Sequence, residues 1–253
     1  MRTKVRLALL WIGTRPFGPY LWPTKSHNKM ASQRGLFGSS LARKYWMALT
    51  GLFLITFLVV HLLGNLAIVF GTGEDFNAYA AFMTSFPPIK IVSYLLYASI
   101  VLHAADGIAL ARQNRAARPV AYGTYHGAAN AGWASRNMAL LGIFTLLFIL
   151  VHMKSFWYEM HFGSLGLDAN GNKDLFTLTT AAFEQVWYTA FYVVAMLALG
   201  FHLWHGFQSA FQTMGWTHPT YTPIVQFVGR AFAVAVCGAF ALIPLYVLIS
   251  PNV

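Results

Sequence analysis

The chain has 253 residues, of which 57% are apolar, 16% aromatic and only 9% charged. That balance excludes an ordinary soluble domain and marks an integral membrane protein, and the length of its apolar stretches makes it all-α. The formal net charge of +10 does not point to nucleic acid, because the cations gather at particular helix ends instead of forming a stripe or face.

Residues 1–44 hold nine Lys or Arg and no acid. The opening MRTKVRLALLWIG has a basic start, but its apolar run is too short for a signal peptide. Arg15, Pro16 and Pro19 follow where small cleavage-site residues belong. This segment reads as a retained, basic cytoplasmic extension. Its Trp11, Phe17, Tyr20 and Trp22 are suited to lie on the lipid interface or to clasp a soluble partner. Residues 45–253 read as one membrane domain.

Five apolar stretches, at about 45–70, 91–111, 137–157, 186–211 and 226–249, each approach or exceed the roughly 20 residues that span a bilayer as a helix. They predict five transmembrane helices, the first four forming a bundle. Arg112, Arg115, Arg118 and Arg136 flank the second connection. Six of the seven acids (Glu74, Asp75, Glu159, Asp168, Asp174 and Glu184) fall in the first and third connections. The positive-inside rule then places the N-terminus and the second and fourth loops in the cytoplasm and the C-terminus outside the cell's inner membrane. The same cations suit anionic lipid or an acidic partner subunit. The lone cysteine, Cys237 in the fifth span, excludes an internal disulfide.

Each of the first four spans carries an embedded histidine: His61, His103, His152 and His202. Ionisable groups at that depth are expensive and call for a partner. With a rise of about 1.5 Å per residue from the basic ends, His61 lies about 26 Å and His152 about 24 Å from the cytoplasmic floor. His103 and His202 lie about 14 and 15 Å from it, and His205 about 10 Å. Depth therefore predicts an outer pair, His61 with His152, and an inner pair, His103 with His202, the layers about 10 Å apart, with His205 left over. Two stacked imidazole pairs in a bundle suit two bis-histidine haems better than zinc, which wants four converging ligands. Gly64, Ala104, Ala105, Gly107, Gly200 and Gly206 are expected to let a flat macrocycle approach the backbones, although small residues also serve ordinary helix packing in lipid.

This arrangement resembles the five-helix, di-haem cytochrome b membrane-anchor subunit of succinate:quinone oxidoreductases, the succinate dehydrogenases and fumarate reductases. The likeness runs from about Ser39 to the end of the fifth span. It rests on SSLARKYWMALTGLFLITFLVVHLLGN, on one histidine in each of spans one to four, and on none in the fifth. The resemblance implies two haem b groups, the distal one on His61 and His152 and the proximal one on His103 and His202. It also implies flavoprotein and iron-sulfur partner subunits on the cytoplasmic side, and electron transfer to a membrane quinone, menaquinone or ubiquinone. Ser39 and Arg43 correspond to the serine and arginine that border the family's quinone pocket; a helix cap and an orientation signal explain them equally. Two glutamates that serve quinone or proton transfer in related fumarate reductases are missing. Gly200 stands at one of those positions, and PPIKIVSY opens the second span.

Asp106, one turn beyond His103, is expected to pair with Arg112 or Arg136, or to act on the inner haem. Arg230 and Lys154 are candidate partners for haem propionates or snorkelling cations. The segment 168–174, DANGNKD, has spaced oxygen ligands but lacks a calcium loop's glycine and final glutamate, and reads as a polar turn. Two other functions fit parts of the pattern: the cytochrome b subunit of a respiratory hydrogenase or formate dehydrogenase, and a transporter whose histidines relay protons.

Overall fold

A computed structural model of the chain describes residues 40–117, 129 and 131–250. Ser39, Arg118 and nearly all of the N-terminal extension lie outside the described residues. Among those residues the fold is helical, with no β-strand and one isolated antiparallel bridge between Leu167 and Lys173. Five helices are long and apolar enough to cross a membrane: Leu41–Phe70, Pro87–Ala116, Met138–Phe162, Val186–Thr213 and Thr222–Ile249. The second begins before and ends after the apolar stretch seen in the sequence. Hydropathy marks the part suited to hydrocarbon, whereas backbone hydrogen bonding carries the helix on through the polar interface.

The main helices are α1 (Ser40–Asn65), α2 (Gly73–Ser85), α3 (Pro87–Ala116), α4 (Met138–His152), α5 (Leu175–Phe183), α6 (Val186–Thr213) and α7 (Thr222–Ile249). Helix α4 runs into a π-helical stretch, Met153–Tyr158, directly after His152. Such widened turns are rare and gather at functional sites. Helices α1, α3, α4 and α6 form a ring in which α1 packs on α3, α3 on α4, α4 on α6 and α6 on α1, while α7 lies outside against α6 and α1. The pairs α1 with α4 and α3 with α6 are therefore the diagonals of the bundle. Most of the buried core comes from α6 and α7, among them Tyr192, Met196, Leu203, Cys237, Ile243 and Val247, whereas α3 buries only Leu96.

Two further helices, α2 and α5, close the acidic end of the bundle. Thr72 starts α2 with a capping box: its hydroxyl accepts the Asp75 amide at 3.1 Å, and the Asp75 carboxylate accepts the Thr72 amide at 2.9 Å. Asp174 caps α5 by accepting the Thr177 amide at 3.1 Å. Asn77, 2% exposed, joins the two helices: its amide donates to Asp174 at 3.1 Å and its carbonyl oxygen accepts the Phe176 amide at 2.9 Å. Residues 168–174 form a polar turn in which the Asp168 carboxylate accepts the amides of Asn170 and Asn172 at 2.9 and 2.8 Å. Gly171 takes the left-handed conformation that this turn needs, φ 79°.

Gly64, expected beside a macrocycle, packs against the Tyr79 ring, which leaves no room there for a Cβ. The Tyr79 hydroxyl donates to the Val60 carbonyl at 3.4 Å. Gly64→Ala is expected to push the ring outward and destabilise the protein by about 1–3 kcal/mol, read as a lower thermal midpoint in detergent. An unchanged midpoint means that the ring moves aside freely.

Candidate functional site

The four embedded histidines meet in two pairs across the diagonals of the bundle. His61 of α1 faces His152 at the end of α4, with ring centroids 5.6 Å apart and planes at 87°. His103 of α3 faces His202 of α6, with centroids 6.1 Å apart and planes at 68°. It is His202, and not His205, whose ring opposes His103. The outer pair sits among aromatic side chains: Phe57 stacks on His61 at 5.1 Å, Phe240 lies 5.5 Å from it, and Phe148 and Phe156 lie 5.7 and 5.4 Å from His152.

The inner imidazoles lie at the level of two glycines that the sequence reading did not single out. A Cβ on Gly51 of α1 would stand 3.3 Å from His103 Cε1, and one on Gly142 of α4 would stand 3.6 Å from His202 Cε1. Each glycine precedes the outer histidine of its own helix by ten residues, about 15 Å along the axis. The layers are thus about 15 Å apart rather than the expected 10 Å or so, because the helices do not start from one flat floor.

These residues recur at fixed spacing. Met47, Gly51 and His61 in α1 are matched by Met138, Gly142 and His152 in α4, and His103 and Gly107 in α3 by His202 and Gly206 in α6. The contacts recur too: Met47 Cε lies 3.5 Å from the Cβ position of Gly107, and Met138 Cε 3.5 Å from that of Gly206. The bundle is a two-helix unit used twice, and each unit supplies one imidazole to each layer. The spacing Met-x3-Gly-x9-His is the sequence signal that finds Gly51 and Gly142. Gly107, Gly200 and Gly206, expected to admit a macrocycle, face Met47, Cys237 and Met138.

Three of the four rings have a side-chain partner on Nδ1. His61 Nδ1 lies 3.4 Å from the Asn65 side-chain nitrogen, and His152 Nδ1 lies 3.0 Å from the Tyr192 hydroxyl, which contacts the Tyr188 hydroxyl at 3.2 Å. His103 Nδ1 lies 3.2 Å from Thr50 Oγ1. That hydroxyl donates to the Trp46 carbonyl at 2.7 Å, which leaves its lone pair free to accept a proton from Nδ1 and favours the tautomer with a bare Nε2. Among the described residues His202 Nδ1 is buried with no hydrogen-bond partner.

Among the described residues no three or more His, Cys, Asp or Glu side chains converge as a metal-binding group. A structural zinc site would need four such ligands. Two opposed imidazoles, each bonded at about 2 Å, set ring centroids about 6 Å apart, close to the 5.6 and 6.1 Å observed. They suit a metal that brings its remaining ligands with it, as iron does in a porphyrin.

The charged residues find the following partners. Among the described residues Asp106 makes no ion pair with Arg112 or Arg136; the ion pair found is Lys154 with Glu159, at 2.6 Å. Lys154 also lies over the Tyr158 ring, 4.9 Å from its centroid, so it is occupied at the acidic end instead of reaching inward. Arg230 stacks on the Trp204 ring at 5.4 Å. Arg43 is half-buried at the start of α1. The helix order puts Arg43, Lys44, Arg112, Arg115 and Arg136 at one end of the bundle and all the acids except Asp106 at the other. The chain matches no protein-family model, no curated protein and no solved structure.

Proposed function

We propose that this chain is the di-haem b membrane anchor of a succinate:quinone oxidoreductase, passing electrons from an iron-sulfur partner subunit to membrane quinone. The observation that carries the reading is the pair of imidazole layers, each drawn from diagonal helices at a separation that fits axial ligation of one iron. His61 and His152 would hold the outer haem, and His103 and His202 the inner one. When bound, such haems would supply one-electron transfer, and oxygen or substrate chemistry would not be expected of them.

The rest of the work belongs to the protein. Thr50 and Tyr192 fix ring orientation through Nδ1. Phe57, Phe148, Phe156 and Phe240 keep water from the outer pair. The basic end, with Arg43, Lys44, Arg112, Arg115 and Arg136, faces the cytoplasm by the positive-inside rule. The inner pair is nearer to that end, which suits electron entry from the flavoprotein and iron-sulfur subunits docked there. Ser39 and Arg43 are the proposed border of the quinone pocket; an arginine offers a carbonyl oxygen a charge-assisted donor.

The test is an optical spectrum of the purified chain before and after dithionite, with a haem assay. The expected result is a strong Soret band that shifts on reduction and two haems per chain. A folded, colourless protein from cells well supplied with haem overturns the reading and favours a histidine proton relay. Reduction by succinate in native membranes separates this anchor from the hydrogenase and formate dehydrogenase types, whose partners sit outside.

A further inference from the structure

The two halves of the bundle place the same glycine beside each inner imidazole, and they differ at the buried residue before it. Ideal Cβ atoms on Gly51 and Gly142 stand 3.7 and 3.9 Å from Nδ1 of His103 and His202. The residue before each glycine is buried to the same degree, Thr50 and Leu141 both at 6% exposure. In the first half this residue is a threonine, whose hydroxyl donates to the Trp46 carbonyl at 2.7 Å and meets His103 Nδ1 at 3.2 Å. In the second half it is a leucine. The Asn137 carbonyl takes the place of that of Trp46 and accepts the Leu141 amide at 3.0 Å. Among the described residues nothing meets His202 Nδ1, which is buried without a partner there.

We propose that the Thr50 and Leu141 pair makes the two inner imidazoles unequal iron ligands and thereby sets the reduction potential of the inner haem. This rests on the di-haem reading above. An acceptor on Nδ1–H gives the imidazole imidazolate character and makes it a stronger donor to iron. A stronger donor favours the ferric over the ferrous state, so gain of one electron becomes harder and the midpoint falls. Thr50 acts in that sense on His103. Leu141 withholds the same effect from His202 and leaves the inner site at a higher potential than a symmetric pair would have. Both are positioning residues, since neither touches the metal.

The experiment is a spectroelectrochemical titration of the full chain, with Thr50→Val, Thr50→Ser and Leu141→Thr beside the unaltered protein. The inner midpoint is identified as the one lost in His103→Ala. Leu141→Thr is expected to move it in the negative direction, Thr50→Val in the positive direction, and Thr50→Ser, which keeps the hydroxyl, to leave it in place. The outer midpoint serves as the internal reference and stays fixed in all three. An inner midpoint unmoved by both Thr50→Val and Leu141→Thr overturns the proposal while leaving the di-haem reading intact. Should Leu141→Thr fail to fold, the contrast of Thr50→Val with Thr50→Ser decides alone: equal midpoints overturn the proposal. Absence of haem from the unaltered chain overturns the parent reading instead.

Discussion

Replacing His103 with alanine is expected to halve the haem content of the purified chain, from two per polypeptide to one, and to leave the remaining haem with an unchanged spectrum. The reason is the separation of the layers. His103 and His202 face each other at 6.1 Å, and the outer pair lies about 15 Å further along the helices. On the proposed di-haem reading, loss of one imidazole should empty its own layer, because a single nitrogen ligand does not compensate for the ordering of a buried macrocycle. The outer layer keeps both imidazoles and its wall of Phe57, Phe148, Phe156 and Phe240. His61→Ala is expected to give the mirror result, loss of the outer haem alone. His202→Ala tests the same layer as His103→Ala, and His205 does not rescue it. That residue lies three positions on, about 4.5 Å along the axis and about 60° short of a full turn. Each variant also loses the stabilisation of one bound ligand and melts earlier. Two haems retained after both His61→Ala and His103→Ala would end the assignment.

The features that the sequence makes legible are those that the bilayer imposes. A helix without water must keep all its hydrogen bonds and show lipid about 20 apolar residues, so five spans stand out although their ends do not. Depth is also legible, since rise per residue is fixed, and it matches His61 with His152 and His103 with His202, the rings that face each other in the structure. The distance between the layers was not, because it depends on where each helix begins relative to its neighbours. Gly51 and Gly142 escape a search for small residues beside histidines in the sequence, since each lies beside a histidine of another helix. The internal repeat exposes them only once the two halves are aligned. The partners of charged residues are least legible. Lys154 turns to Glu159, five residues away across the π turn, and among the described residues Asp106 pairs with neither Arg112 nor Arg136, because long side chains choose partners by local backbone path. The helices α2 and α5 were hidden by their shortness and by the polar residues that cap them.

Asn77→Ala is expected to destabilise the chain by about 2–4 kcal/mol, the cost of two hydrogen bonds of which one engages a carboxylate. Asn77 is almost wholly buried, and its two bonds, to Asp174 and from the Phe176 amide, hold α2 to the start of α5. Helix α5 in turn sets Phe183 against Tyr192 at 4.9 Å and Phe156 at 5.9 Å, two of the rings packed around His152. Loosening this clamp therefore reaches the outer pair before the inner one, and the outer haem of Asn77→Ala should dissociate first on warming. The clamp also has a pH signature. The Thr177 side chain and amide, helped by Asn77 and opposed by burial, hold the Asp174 carboxyl below its ordinary value. The Thr72 amide and hydroxyl do the same for Asp75. A depressed carboxyl contributes its full stability above the unfolded value of about 4 and loses it as pH falls through the lower folded value. The chain should accordingly keep its thermal midpoint from pH 7 down to about pH 5 and lose it below about pH 4, with Asn77→Ala showing a shallower acid limb. An Asn77→Ala variant that melts with the unaltered chain, or that sheds its inner haem first, removes the clamp from the account of how the outer site is kept closed.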